Sequence, residues 1–540
     1  MFVSRRSNWS NAGTVLALAL ALAFTGCKGD DDDEDDPKCE GGTGSPTTVS
    51  GKVTYDFVPA TYSTTTKGGT LAFAQASERP VRSAVVQVRQ GSNVLATGST
   101  DEQGNYQLNY TPSTCGTVTV VALAKTTNPP IQVEDNTDKD AIWAIGDTIT
   151  ATTTTKNLHA THGWTGTTYT ASQRTAAPFA ILDSMYTASK AFMAVRTVTF
   201  PPLKVNWSPN NVPQSGDKAT GQISTSHYSF QENEIYILGR VGVDTDEYDS
   251  HVIVHEWGHY FESNLSRADS PGGPHSTGDV LDPRLAFGEG YGNGLAAMLL
   301  PESMYVDTLW GSTTSGPPLA FGFDAETPPT PTDDPSPSVF SESSVMRILY
   351  DLYDSGANEG YDTVALGLGP IYDVLVGPQK TTEGMTTLGS FITGLKSQAG
   401  VNASAVDALL AHYNVGAITS PYGDGDTQLR AMYVAVPNTY PYNNNITLRG
   451  GEEANKQQQN RYFAFSGTGR TMNISVSNAT YDVDIEVYKR GELVASSYKE
   501  TPGTESVSLP TQSDTPYVLV VTGYSTVNTN YTVSVSITSP

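Results

Sequence analysis

Two periodicities divide this chain. Positions 49–55, 80–88 and 100–108 alternate apolar and polar residues between Gly and Asp turns, which predicts half-buried strands. The same alternation returns at 461–465, 472–476, 482–488 and 517–521. Between these blocks the apolar spacing becomes helical. It predicts helices over 178–195, over 251–261, over 286–300 and over 341–352, the last with Val345, Ile348, Leu349 and Leu352 on one face. Residues 221–238 read as strands leading into the second helix, and Ser250 is its candidate N-cap. A Pro-rich loop at 311–338 either walls a cleft or runs over the surface.

A chain of 540 residues is too long for one core, so several domains are expected. The predicted organisation is a β-sandwich over 47–125, an α+β region over 126–438 and a second all-β sandwich over 439–540. With 50 Gly, 28 Tyr and only 16% charged residues, the composition fits an extracellular, β-rich protein. The formal charge of −25 argues against nucleic acid as a partner.

The candidate chemistry lies in the second and third helices. In His255-Glu256-Trp257-Gly258-His259, the imidazoles fall on one helix face and can share a Zn²⁺ ion. In Gly288-Glu289-Gly290-Tyr291-Gly292-Asn293, Glu289 can be the third ligand, leaving a fourth position for water and making Glu256 the general base. The glycines at 288, 290, 292 and 294 each cost up to about 1 kcal/mol in a helix, so a close approach to the HExxH helix is expected to offset them. Asn293, one turn beyond Glu289, is placed to accept a hydrogen bond from a ligand imidazole.

These segments resemble the glutamate-type zincins that include thermolysin and fungalysin. The resemblance implies an α+β zincin domain over 126–438 that hydrolyses peptide bonds, with His255, His259 and Glu289 on zinc. The chain departs from fungalysin where Asn293 replaces an aspartate, and in having no histidine ahead of the 341–352 helix, so the oxyanion donor is open. Tyr350, Tyr353, Tyr291 and His275 are the candidates. In the families resembled, an edge strand before the HExxH helix binds substrate backbone, and 234–238 is the candidate here. No segment of the kind that captures a substrate's free amine is evident, which favours an endopeptidase. A non-catalytic zinc-binding surface adhesin and a hydrolase of non-peptide bonds are the competing readings.

The flanking regions carry resemblances of their own. Residues 47–125 look like the transthyretin-like, carboxypeptidase regulatory-like sandwich, most specifically in the turn from Asp101 to Tyr106, and 439–540 look like a pre-peptidase C-terminal domain. Asp482, Asp484 and Glu486 form either a Ca²⁺ site or a solvated sheet face. At the N-terminus, Arg5 and Arg6 precede an apolar run at 15–24, and Phe24-Thr25-Gly26-Cys27 resembles the signal-peptide end (1–26) of a bacterial lipoprotein. That implies a lipid on Cys27 and a membrane anchor. Lys28 in turn implies outer-membrane sorting, with the acidic segment in 27–46 as a tether. Cys39 and Cys115 either pair or stay free. Natural substrate and oligomeric state are not legible in the sequence.

Overall fold

A computed structural model describes residues 43–540 apart from 115, 151, 171–172, 310–319, 356–359, 452 and 540. The signal segment, Cys27, the acidic tether, Cys39 and Cys115 lie outside the described residues. Among those described, strand makes up 35% and helix 24%, and the α-helices all fall between Ala177 and Met432, so sheet-rich regions flank a mixed centre. No helix among them is long and apolar enough to cross a membrane.

The central sheet runs in the order His227–Ser229, Glu234–Ile237, Leu203–Trp207, Ile131–Asp135, Val118–Thr126, Ala84–Gln90, Asn93–Ser99. It crosses residue 125, where the sequence suggests a domain boundary: Lys125 pairs with Gln132, and Thr47–Phe57 pairs in parallel with Leu158–Ala160. One continuous hydrophobic core therefore extends from Val49 through the helical centre. Leu203–Trp207 is parallel to both neighbours, which demands a long crossover from Ile131–Asp135. Helix α1 (Ala177–Val195) lies in that crossover. Its Phe192 stacks at 5.9 Å on Trp257 of helix α2 (Ser250–Leu265), with Phe200 and Phe261 each 5.7 Å from the same indole. The predicted turn near residue 101 is built by Asp101, which accepts from the backbone N–H groups of Gln103 and Asn105.

The edge of the sheet differs from expectation. Glu234–Ile237 is an interior strand, because Asn233, at positive φ, turns the chain so that His227–Ser229 pairs outside it. His227–Ser229 is the edge that faces α2. Helix α2 starts at Ser250, with Asp249 rather than Ser250 at the N-cap position. Helices α3 (Pro283–Leu299) and α4 (Glu342–Tyr353) complete the centre.

The C-terminal region is a two-sheet sandwich. Tyr433–Ala435, Asn460–Ser466, Pro516–Gly523, Val483–Lys489 and Glu492–Ser497 form one sheet, and Tyr442–Arg449, Asn530–Thr538, Thr471–Asn478 and Gly503–Pro510 the other. Period-two alternation sends Phe463, Phe465, Leu519 and Val521 into the sandwich's own core. The intervening Tyr462, Val518 and Val520 join the central core. Tyr462 also donates to Asp282 Oδ1 at 2.6 Å, and Asp282 caps α3 by accepting from Arg284 N–H. The sandwich thus grips the start of a helix that carries a candidate ligand. Removing this phenol leaves a fully buried carboxylate short of a donor, so Tyr462→Phe is expected to cost about 1–3 kcal/mol in urea unfolding. An unchanged midpoint would show that the contact contributes nothing.

Candidate metal centre

Four-residue spacing on α2 brings His255 and His259 to one face, and α3 presents Glu289 to them. The two imidazole Nε2 atoms lie 3.0 Å apart, and Glu289 Oε2 is 3.3 Å from the first and 3.6 Å from the second. Tetrahedral zinc with bonds of about 2.0–2.1 Å requires ligand separations of about 3.3 Å. The triangle meets that requirement. His255 Nδ1 is 2.8 Å from Asn293 Oδ1, which fixes the tautomer whose Nε2 carries the free lone pair. His259 Nδ1, in contrast, is buried without a hydrogen-bond partner among the described residues.

Glycine makes this geometry possible, on two faces of α3. A Cβ on Gly292 would stand 2.7 Å from His255 Cε1 and Nδ1, so the imidazole needs this position bare. Gly290 and Gly294 face α4: a Cβ there would meet Glu342 O at 2.6 Å or Met346 O at 3.0 Å. The expectation that all four glycines serve the HExxH helix is therefore corrected, and a Cβ on Gly288 would meet nothing closer than Ser270 at 3.6 Å.

The electrostatics favour a cation. Burial opposes ionisation of Glu289, yet the imidazoles of His259, His255 and His275 outweigh it and hold the carboxyl well below its usual range. For His259 burial is likewise outweighed, here by Glu289 and Glu256, and its affinity for a proton rises. Glu256 lies beside the triangle, its Oε2 accepting from Tyr228 N–H on the edge strand at 2.8 Å. Residues and geometry fit a zinc ion.

Of the four oxyanion candidates, His275 reaches the centre. Its Nε2 is 3.3 Å from Glu289 Oε2 and its Nδ1 is 2.7 Å from Glu342 Oε2, the two carboxylates overcoming burial to push the imidazole up to about 10. The other three stand elsewhere. Tyr291 projects from a different face of α3 into the core, stacked at 6.0 Å on Phe287. Tyr350 and Tyr353 sit on the far end of α4 from Glu342, about 12 Å and 16 Å along its axis. Sequence reasoning missed Glu342, Phe230 and Tyr305. Phe230 is 51% exposed with its ring 6.3 Å from that of His259, and the Tyr305 ring is 6.4 Å from that of His255, its phenol kept from ionising by burial first and then by Asp307 and Glu256. Only Glu342 left a trace, as the acidic first-turn residue of a capped helix. Part of the Pro-rich segment does come near: Phe321, Phe323 and Asp333 bound a cavity of ≈ 40 Å³ together with Asn293 and Glu342.

Two groups of metal-ligating side chains converge among the described residues: this one, and Asp244, Asp246 and Asp307. Asp482, Asp484 and Glu486, for which a Ca²⁺ site is one of two readings, are not among them, and Glu486 accepts from the hydroxyls of Tyr488 and Tyr498, each at 2.6 Å.

No protein family matches the chain, and no curated protein matches it in sequence. Among solved structures it is similar to the pre-peptidase C-terminal domain of a Bacillus anthracis collagenase, at 14% identity over 19% of this chain and 91% of that one, with a TM-score of 0.15. It is also similar to an Aeromonas hydrophila periplasmic inhibitor of g-type lysozyme, at 12% identity over 20% of this chain and 95% of the other, with a TM-score of 0.15.

The geometry predicts an order of metal affinities, measurable by competition with a chromophoric zinc chelator. Asn293→Ala is expected to weaken zinc binding about 10- to 100-fold, by releasing the His255 tautomer. Gly292→Ala is expected to weaken it at least as much, because its Cβ displaces the ligand ring itself. Wild-type affinity in both variants would refute the support of His255 assigned to Asn293 and Gly292.

Proposed function

We propose that this chain is a zinc-dependent peptidase, an endopeptidase acting on proteins or peptides at the surface of a bacterial cell. The observation that carries this reading is the convergence of His255, His259 and Glu289 at 3.0–3.6 Å, with the Glu256 carboxylate tied to a free sheet edge beside them. Zinc held there would supply Lewis-acid activation of water and of the scissile carbonyl.

The remaining steps belong to the chain's own groups. Tyr228 N–H holds Glu256 Oε2, so Oε1 takes the proton from the attacking water and passes it to the leaving amine. Asn293 keeps the His255 proton on Nδ1 throughout. The N–H of Tyr228 points away from its partner strand, so an extended substrate adds along the same edge, led toward the carboxylate. Phe230, at the end of that edge, offers an apolar contact to a substrate side chain. His275, oriented by Glu342, and Tyr305 are the donors that flank the centre and can stabilise a developing oxyanion.

Glu256→Gln tests the assignment, because it removes the base and keeps all three ligands. The variant is expected to retain zinc near the wild-type level and to lose cleavage of casein or a peptide library by about 10²-fold or more. Near-wild-type cleavage would refute the role of Glu256. Wild-type protein that binds zinc and cleaves no peptide would select the adhesin reading. The proposed lipid anchor is checked separately by palmitate labelling. Label is expected on the wild type, recovered with membranes, and absent from Cys27→Ser; an unlabelled wild type in the medium would make the protein an ordinary secreted one.

A further inference from the structure

The acidic segment that leads into α2 divides according to its partners. Glu247 pairs with Arg174 inside the fold. Asp249 accepts from the backbone N–H of Thr308 at 2.7 Å and from its hydroxyl at 2.9 Å. Asp244 and Asp246 each keep a buried oxygen that no donor reaches among the described residues. One carboxylate oxygen from each of them and one from Asp307, at the end of the strand Met304–Asp307, lie within 4.8 Å of one another. In each of the three, Oδ1 is buried and accepts from no donor among the described residues.

Asp246 makes this more than a patch of like charge. It is only 4% exposed, and its Oδ2 is fixed by the Ser226 hydroxyl at 2.5 Å, an oxygen that in turn accepts from Leu238 N–H. Its unpartnered Oδ1 belongs to a side chain locked into the group. After burial itself, the influences acting most strongly on Asp244 and Asp246 are other carboxylates, with Asp307 prominent for both. Burial pushes Asp244 up to about 7 and Asp307 up to about 6. A buried group of this kind must keep protons or bind a cation.

We propose that Asp244, Asp246 and Asp307 bind a calcium ion that ties the start of α2 to the strand following α3. All-oxygen donors select a hard cation, and a 4.8 Å span is about twice a Ca–O bond of about 2.3–2.6 Å. Asp244 and Asp307 are half-buried, which gives the ion a way in and lets water complete its shell. The tie acts next to the zinc ligands. Tyr305, two residues before Asp307, packs 5.7 Å from the His251 ring and 6.4 Å from the His255 ring, and His251 Nε2 is 2.8 Å from Glu302 O. Calcium would thus hold this strand as a cover over the first turns of α2.

Terbium(III), sensitised by nearby tyrosines, is the probe. Full-length protein is stripped of metals, given back one equivalent of zinc and titrated with terbium. The expected result is one tyrosine-sensitised ion per chain, displaced by calcium more readily than by magnesium, and a calcium-dependent rise in the melting temperature. Asp246→Asn and Asp307→Asn are each expected to lower terbium affinity at least about tenfold and to abolish the thermal shift, with circular dichroism confirming the fold. Should Asp246→Asn fail to fold, the half-buried Asp244→Asn is read in its place. A folded wild type with no calcium-displaceable emission and no thermal shift overturns the proposal. So does binding that survives the substitutions, which would locate the ion elsewhere, with the acidic run at 30–36 the first place to look. Zinc content and peptide cleavage, followed on the same samples, separate this outcome from failure of the peptidase reading.

Discussion

The closeness of α3 to its two neighbours is the constraint on which the candidate metal centre rests. With His255 standing where a Cβ of residue 292 would be, and the backbone of α4 against residues 290 and 294, α3 is wedged between its partners. Each glycine weakens the isolated helix by about 0.8–1.0 kcal/mol relative to alanine. Tertiary contact offsets that loss: Leu285, Phe287, Leu295 and Met298 are all buried, on several sides of the helix. The same wedge decides where Glu289 and Asn293 point, and hence the place of one candidate ligand and the proton position of another. Local helix propensity is sacrificed where the chemistry needs room.

Charge follows a consistent rule around α2. Where the fold buries a carboxylate for structural purposes, it provides a donor: Arg174 for Glu247, Arg284 and Tyr462 for Asp282, Thr308 for Asp249. Three exceptions stand out: the His255, His259, Glu289 triangle with its adjoining Glu256, the Asp244, Asp246, Asp307 cluster, and Glu262 on α2 itself, whose Oε2 is buried without a partner among the described residues. The aspartates face only one another's like charge, whereas the imidazoles around Glu289 offset its burial. The two imidazoles stand on α2, while Asp244 and Asp246 precede it and Asp307 ends the strand Met304–Asp307.

The sequence made the HExxH spacing, Glu289 and Asn293 legible, because helical periodicity converts position directly into a shared face. Sheet neighbours were harder to read. A period-two pattern says which residues are inside but not which strand lies alongside, so the pairing across residue 125 and the true edge at His227–Ser229 left no signal. Leu203–Trp207 alternates apolar and polar residues, yet it is buried at four of its five positions, Asn206 included, so its alternation marks no solvent face. The contacts of His275 with Glu342, of Tyr305 with the ligand region and of Asp307 with Asp244 join residues far apart in sequence. Each depends on the tertiary fold. The aspartates ahead of α2 read only as a prelude to the helix until Asp307 closed the group.

Tyr433–Ala435 precedes the suggested start of the C-terminal sandwich, yet it pairs in parallel with Asn460–Ser466 inside the sandwich sheet. The chain between them is exposed at 437–439. Cleavage there would cut the backbone while the strand pairing, the buried faces of Val518 and Val520, and the Tyr462 contact with Asp282 all persisted. Scission and release are therefore separate events in this molecule. A nicked form would keep the mass of the intact protein under native conditions and come apart only when denatured.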